Sequence, residues 1–146
     1  MRNIVVLTLI LLVLPICVSA EDQTPLVMGV HGMEDDYSTM VGTMQEISGR
    51  FYVAEYVDVG HNKEAGITTA LGWRVADQKN YSLSLLLGPS AVRKDGKTDL
   101  YSVTGFLGYW KFDDDIGFGA GANYLYDGDA DPELELGAFI MFGVGD

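Results

Sequence analysis

After residue 21 the chain alternates apolar and polar or small residues with a period of two. From Gly66 to Ala76 one face reads Ile67, Thr69, Leu71, Trp73, Val75, and the other Gly66, Thr68, Ala70, Gly72, Arg74, Ala76. From Ile116 to Tyr126 one face reads Ile116, Phe118, Ala120, Ala122, Tyr124, Tyr126, and the opposite face begins Gly117, Gly119, Gly121, Asn123. A third stretch sets Leu134, Leu136, Ala138, Ile140, Phe142 against Glu133, Glu135, Gly137, Phe139, Met141. Strict alternation over about ten residues is a strand signal. The pattern predicts eight strands, at residues 26–33, 37–46, 51–59, 65–76, 81–92, 99–112, 116–126 and 133–144. For the second, a short helix capped by Ser38 is the competing reading.

The polarity of the two faces decides what these strands build. A small water-soluble barrel fills its interior with bulky apolar residues and charges its exterior. Here the face opposite the bulky one is mainly Gly, Ala and Thr, a composition poorly suited to a water-facing sheet. Glycines do suit the cramped interior of a narrow barrel whose bulky side faces lipid. The expected fold is therefore all-β: a single antiparallel up-and-down barrel of eight strands, of the outer-membrane type, most strands being near the length that crosses hydrocarbon at a tilt. The alternative is a soluble, lipocalin-like barrel that binds a small apolar ligand.

Connections and aromatics orient it. Turns at 47–50, 77–80 and 113–115 fall on one side with both termini, and loops at 34–36, 60–64, 93–98 and 127–132 on the other, the loops being longer on the whole. Trp73, Tyr81, Tyr109, Trp110 and Phe112 cluster near the turns, and Tyr101, Tyr124 and Tyr126 near the loops. Two such bands match aromatic girdles at the two membrane surfaces.

The first twenty residues read as an address. Arg2 precedes an apolar run from Ile4 to Leu14, Pro15 breaks it, and Val18-Ser19-Ala20 places small residues where a signal peptidase cuts. As a helix that run spans about 16 Å against a hydrocarbon core of about 30 Å, so it is too short for an anchor. Residues 1–20 are thus expected to be a signal peptide and 21–146 the barrel domain. The only cysteine, Cys17, sits in a stretch similar to a lipoprotein cleavage box, but Ile16 occupies a place that wants a small residue, so removal with the signal is expected.

Composition sharpens this. The 146 residues include 21 acids and 9 bases, a net charge of −12, which repels nucleic acid. One cysteine supports no intramolecular disulfide. The acids gather where strands end, which places them in water on either side of a membrane.

Glu135-Leu136-Gly137-Ala138-Phe139-Ile140-Met141-Phe142 resembles the assembly signal near the C-terminus of bacterial outer-membrane barrels, with Glu135, Gly137, Ile140 and Phe142 at its marked positions. In size and strand number the chain is similar to small eight-stranded outer-membrane β-barrel proteins of the OmpX, OmpA-transmembrane and Ail/Lom type. The resemblance is architectural. It implies location in the outer membrane of a Gram-negative-type envelope, with membrane lipid around the barrel and any surface partner met through the loops.

Candidate chemistry is sparse. Strand parity suggests His31, Glu55, Arg74, Lys111 and Glu135 for the lumen, with a cation paired to an interior Glu. A lipid A or phospholipid-modifying enzyme needs a His–Ser pair with an orienting carboxylate. The candidates for it are His31, His61, Ser38 and Ser90, and their spacing establishes no contact. Asp127, Asp129 and Asp131 crowd oxygen ligands into one loop, but the Gly and acid that an EF-hand-type calcium loop requires are Pro132 and Ala138. No cofactor motif is present. The sequence favours a non-enzymatic barrel that serves surface interaction or envelope integrity through acidic loops.

Overall fold

The computed structural model describes residues 24–33, 36–60, 64–113, 116–128 and 131–143. The expected signal peptide, Cys17, His61 and Asp129 lie outside them. The chain forms β1 (Leu26–Met33), β2 (Asp36–Ser48), β3 (Phe51–Gly60), β4 (Ala65–Asp77), β5 (Tyr81–Lys94), β6 (Lys97–Lys111), β7 (Ile116–Tyr126) and β8 (Glu133–Phe142). Each pairs antiparallel with its neighbours in sequence, and β8 closes onto β1. Closure leaves no sheet edge with unpaired backbone groups. This is the expected eight-stranded up-and-down barrel.

Two local expectations change. Residues 38–47 belong to a strand and not a helix, because β2 supplies the ladder partners of both β1 and β3. A helix there would strand the backbone groups of both neighbours. Residues 93–98 are not a long loop. β5 and β6 stay paired out to Lys94↔Lys97, and Asp95 (φ 49°) and Gly96 (φ 79°) make a two-residue turn. Both central residues of such a turn take left-handed φ, which matches the twist of the flanking strands and suits Asp-Gly. The expected contrast between short turns and longer loops weakens accordingly.

The inversion of the faces is present. Leu71, Leu85, Leu87, Phe106, Phe118, Leu136 and Ile140 point outward and are 45–62% exposed. Val27, Met40, Met44, Tyr52, Leu86, Phe139 and Met141 form the buried interior. Inward glycines make room for the large interior rings: a Cβ on Gly72 would lie 2.1 Å from Tyr52 Cζ, and one on Gly119 would lie 2.1 Å from Phe139 Cζ. Each ring thus lies over the backbone of the neighbouring strand.

The aromatic bands are thinner than expected. Tyr81 and Trp110 stack on the outside, with centroids 6.1 Å apart. Tyr109, next to Trp110, must face inward by strand alternation, and it packs against the interior cluster. Tyr101 likewise lines the lumen near the loops.

Candidate functional site

The lumen is built in three levels. At the end bearing the three turns, the inward Arg74 donates to Glu46 Oε2 at 2.7 Å and to the Gly49 carbonyl at 3.3 Å. Its guanidinium carbon lies 5.5 Å from the centre of the Tyr52 ring. The expected pairing of a cation with an acid is therefore made by Arg74, at the barrel's rim, where Glu46 remains half exposed. Lys111 sits at the same end, on the inward register of β6 opposite Gly117.

Above this lies an apolar plug of Met40, Met44, Tyr52, Leu86 and Phe139. The cavity it encloses is about 40 Å³, room for a few waters at most. That is too small for the apolar ligand a lipocalin-like barrel would hold, and with the exterior apolar as well, this alternative loses its support.

The third level is a mouth of about 1020 Å³ open at the loop end. Asp58, Glu64, Asp99, Asp131, Glu133 and Glu135 line it, against His31 and Lys94. Lys94 pairs with Glu64. At the floor, buried His31 Nδ1 lies 3.1 Å from Glu135 Oε1 and 3.3 Å from Asp58 Oδ1. Asn123 Nδ2 donates to Glu135 Oε2 at 3.3 Å, and Tyr56 meets the imidazole edge-on at 5.3 Å. Gly137, the register partner of His31, leaves space for the imidazole; a Cβ there would fall 2.7 Å from its Cδ2. Two carboxylates thus converge on one imidazole nitrogen, which can donate one proton to only one of them, so the buried network is acidic and only partly satisfied.

The structure brings some of the sequence candidates together. Ser38 stands opposite His31 in the β1–β2 register and lines the same mouth. Ser90 is buried and accepts from Thr68 Oγ1 at 2.8 Å. The His31 Nδ1 atom is directed at the two carboxylates. Asp131 lines the mouth, whereas Asp127 is exposed beside it. Among the described residues no group of three or more His, Cys, Asp or Glu side chains is arranged to hold a metal ion.

Two assignments needed the fold. Asp58 was missed as a site residue, although it shares strand parity with Tyr52 and Tyr56. Glu55, expected in the lumen, faces outward instead: its partners Thr43 and Thr69 alternate with inward Met44 and Ala70. A strand cannot place both Glu55 and Asp58 inside, because odd and even positions take opposite faces.

No family model matches the chain, and no curated protein does. Its fold is similar to that of solved de novo designed proteins. One is described as the solution NMR structure of de novo designed TMB2.3, with a TM-score of 0.63 and 10% identity over 86% of this chain and 99% of that one. A second, described as de novo design of transmembrane beta-barrels, gives a TM-score of 0.63 and 10% identity over 82% and 94%. At that identity the likeness is one of fold.

Proposed function

We propose that this protein is a non-enzymatic β-barrel of a Gram-negative-type outer membrane, which presents its acidic mouth to the exterior and serves surface interaction or envelope integrity. The observation that carries the reading is the combination of an apolar outer wall with a lumen closed by side chains. An exterior this apolar, with Glu55 its one outward carboxyl at mid-height among the described residues, is costly in water and favourable in hydrocarbon. The likeness to designed transmembrane barrels supports the same reading. In this orientation the start of β1, the end of β8 and the three turns face the periplasm, and the mouth faces outward.

Membrane fractionation, combined with gel migration of heated and unheated samples, tests it. The protein is expected in the membrane fraction, with a band whose mobility shifts on heating. A soluble protein with no shift overturns the proposal. Because the plug of Met40, Met44, Tyr52, Leu86 and Phe139 blocks the lumen, planar bilayers containing the protein are expected to carry no steady ion current. A sustained current would show that the plug yields in the membrane.

One observation favours a second reading, lipid modification. His31 has a carboxylate on one side and Ser38 opposite it in register. These are the residue types of a nucleophile, base and orienting acid. Mass analysis of lipid A and phospholipids from cells carrying wild type, His31→Ala or no copy decides between the two. Identical lipids in all three are expected from a structural barrel, and a modification lost with His31→Ala would establish the enzyme.

A further inference from the structure

The outer wall of the barrel is not uniform. Over β5 to β8 its mid-height positions carry large apolar residues such as Leu85, Leu87, Phe106, Phe118, Leu136 and Ile140, with small ones at Gly108, Ala120, Ala122 and Ala138, and no charge. Over β2 to β4 a polar patch at mid-height, Thr43, Gln45, Glu55 and Thr69, interrupts an outward surface that otherwise carries Val41, Val53, Ile67, Leu71 and Trp73. Glu55 is the centre of this change. No cation among the described residues pairs with it.

Its depth follows from the register. Along the hydrogen-bonded neighbours, Ile116, Phe142, Leu26, Thr43, Glu55 and Thr69 lie on one row around the barrel. The row begins beside a turn at Ile116 and climbs over β5 to Ser102 and Tyr126 at the loop end. Glu55 lies midway, which in a membrane-spanning barrel is the middle of the hydrocarbon. A carboxyl facing lipid at that depth is costly unless something supplies hydrogen bonds.

We infer that the wall formed by β2, β3 and β4 is where two copies of this chain meet in the membrane, an inference that rests on the proposed membrane location. Two features select a second copy as the occupant. The row is palindromic about Glu55, with Thr43 on one side and Thr69 on the other. A two-fold axis through Glu55 exchanges the two threonines between copies, so each copy offers hydroxyl donors to the other's carboxyl. Such an isologous contact closes at the dimer. The small β-branched residues around the row let two sheets approach closely, and polar groups then form hydrogen bonds between them, as interfaces inside membranes do. The wall on the far side of the barrel also has small residues, at Gly108, Ala120 and Ala138, but no palindromic row around a carboxyl.

Energy transfer between donor- and acceptor-labelled protein in phosphatidylcholine vesicles, followed as the protein is diluted in lipid, tests the inference. The wild type is expected to show a monomer–dimer equilibrium. Glu55→Leu is expected to weaken dimerisation at least about tenfold, while Glu55→Gln, which still offers hydrogen-bonding groups, stays within about threefold. Leu136→Ala, on the opposite wall, leaves the equilibrium unchanged. Glu55→Leu removes a polar group from the lipid face, so the single barrel should fold at least as well, and the heated-versus-unheated gel shift reports this separately. Wild type that enters vesicles, shows the gel shift and remains monomeric at every dilution overturns the inference and leaves the membrane reading standing. So does a Glu55→Leu variant that dimerises as well as Leu136→Ala; both results would assign the wall to a different protein or to lipid. A protein that does not enter vesicles overturns both.

Discussion

Replacing Phe106 with arginine is expected to destabilise the folded barrel in lipid vesicles by about 2–4 kcal/mol, the cost of a basic side chain at the bilayer midplane. Phe106 points outward, is 51% exposed, and lies between Leu85 and Ala122 on a row that starts near a turn at Phe51 and Trp73 and ends near a loop at Leu136. It is therefore close to mid-depth. Leu100→Arg provides the contrast. Leu100 is 71% exposed near the Asp95–Gly96 turn, and arginine there should cost about 0–1 kcal/mol, since it reaches water. Urea unfolding of vesicle-embedded protein, followed by tryptophan fluorescence, measures both. Equal and negligible effects would mean that water, and not lipid, covers the barrel wall at Phe106.

Gly72→Ala should destabilise by about 1–3 kcal/mol, the usual cost of overpacking a filled interior. Strand propensity alone predicts the opposite sign, because alanine is the less disruptive residue in a sheet. Packing decides it. The added Cβ would fall 2.1 Å from Tyr52 Cζ, and the Tyr52 ring is fully buried, with Arg74 beside it. The ring has nowhere to withdraw without opening the plug. The same substitution made in a Tyr52→Ala background should cost little, so the double-mutant cycle is expected to show a coupling of about 1–3 kcal/mol. A Gly72→Ala penalty of the same size in both backgrounds would move the cause from the ring to the backbone.

Much of this fold was legible because a strand's period of two writes the faces of a barrel directly into the sequence. Ile67, Leu71 and Trp73 against Gly66, Ala70 and Gly72 announce both a strand and an inverted barrel, with no knowledge of what the strand pairs with. The departures fall where alternation is interrupted, where both faces of a strand are bulky, or where neighbouring residues are read one at a time. Strand parity suggests an inward Glu55, but both faces of residues 51–59 carry bulky side chains, and the structure turns Tyr52 and Ala54 inward and so Glu55 outward. Tyr109 was grouped with Trp110 by proximity in sequence, although neighbours in a strand face opposite sides. The 93–98 segment looked like a loop from its polarity, yet Asp-Gly at its centre is a signature of a tight hairpin.

The candidate site was less legible. Its floor joins His31 from β1, Asp58 from β3, Asn123 from β7 and Glu135 from β8, residues spread over most of the chain. Nothing in sequence spacing reports which rungs of distant strands share a level, since that depends on the stagger accumulated around the closed barrel. The sequence by itself determined the strands, the two faces of most of them and the antiparallel order, because these follow from local periodicity. Only the tertiary structure decided that His31 sits between two carboxylates, that Arg74 closes the turn end, and that Glu55 faces outward midway between the barrel's ends. Those outcomes follow from closure and register, which bring residues together by height in the barrel and not by position in the chain.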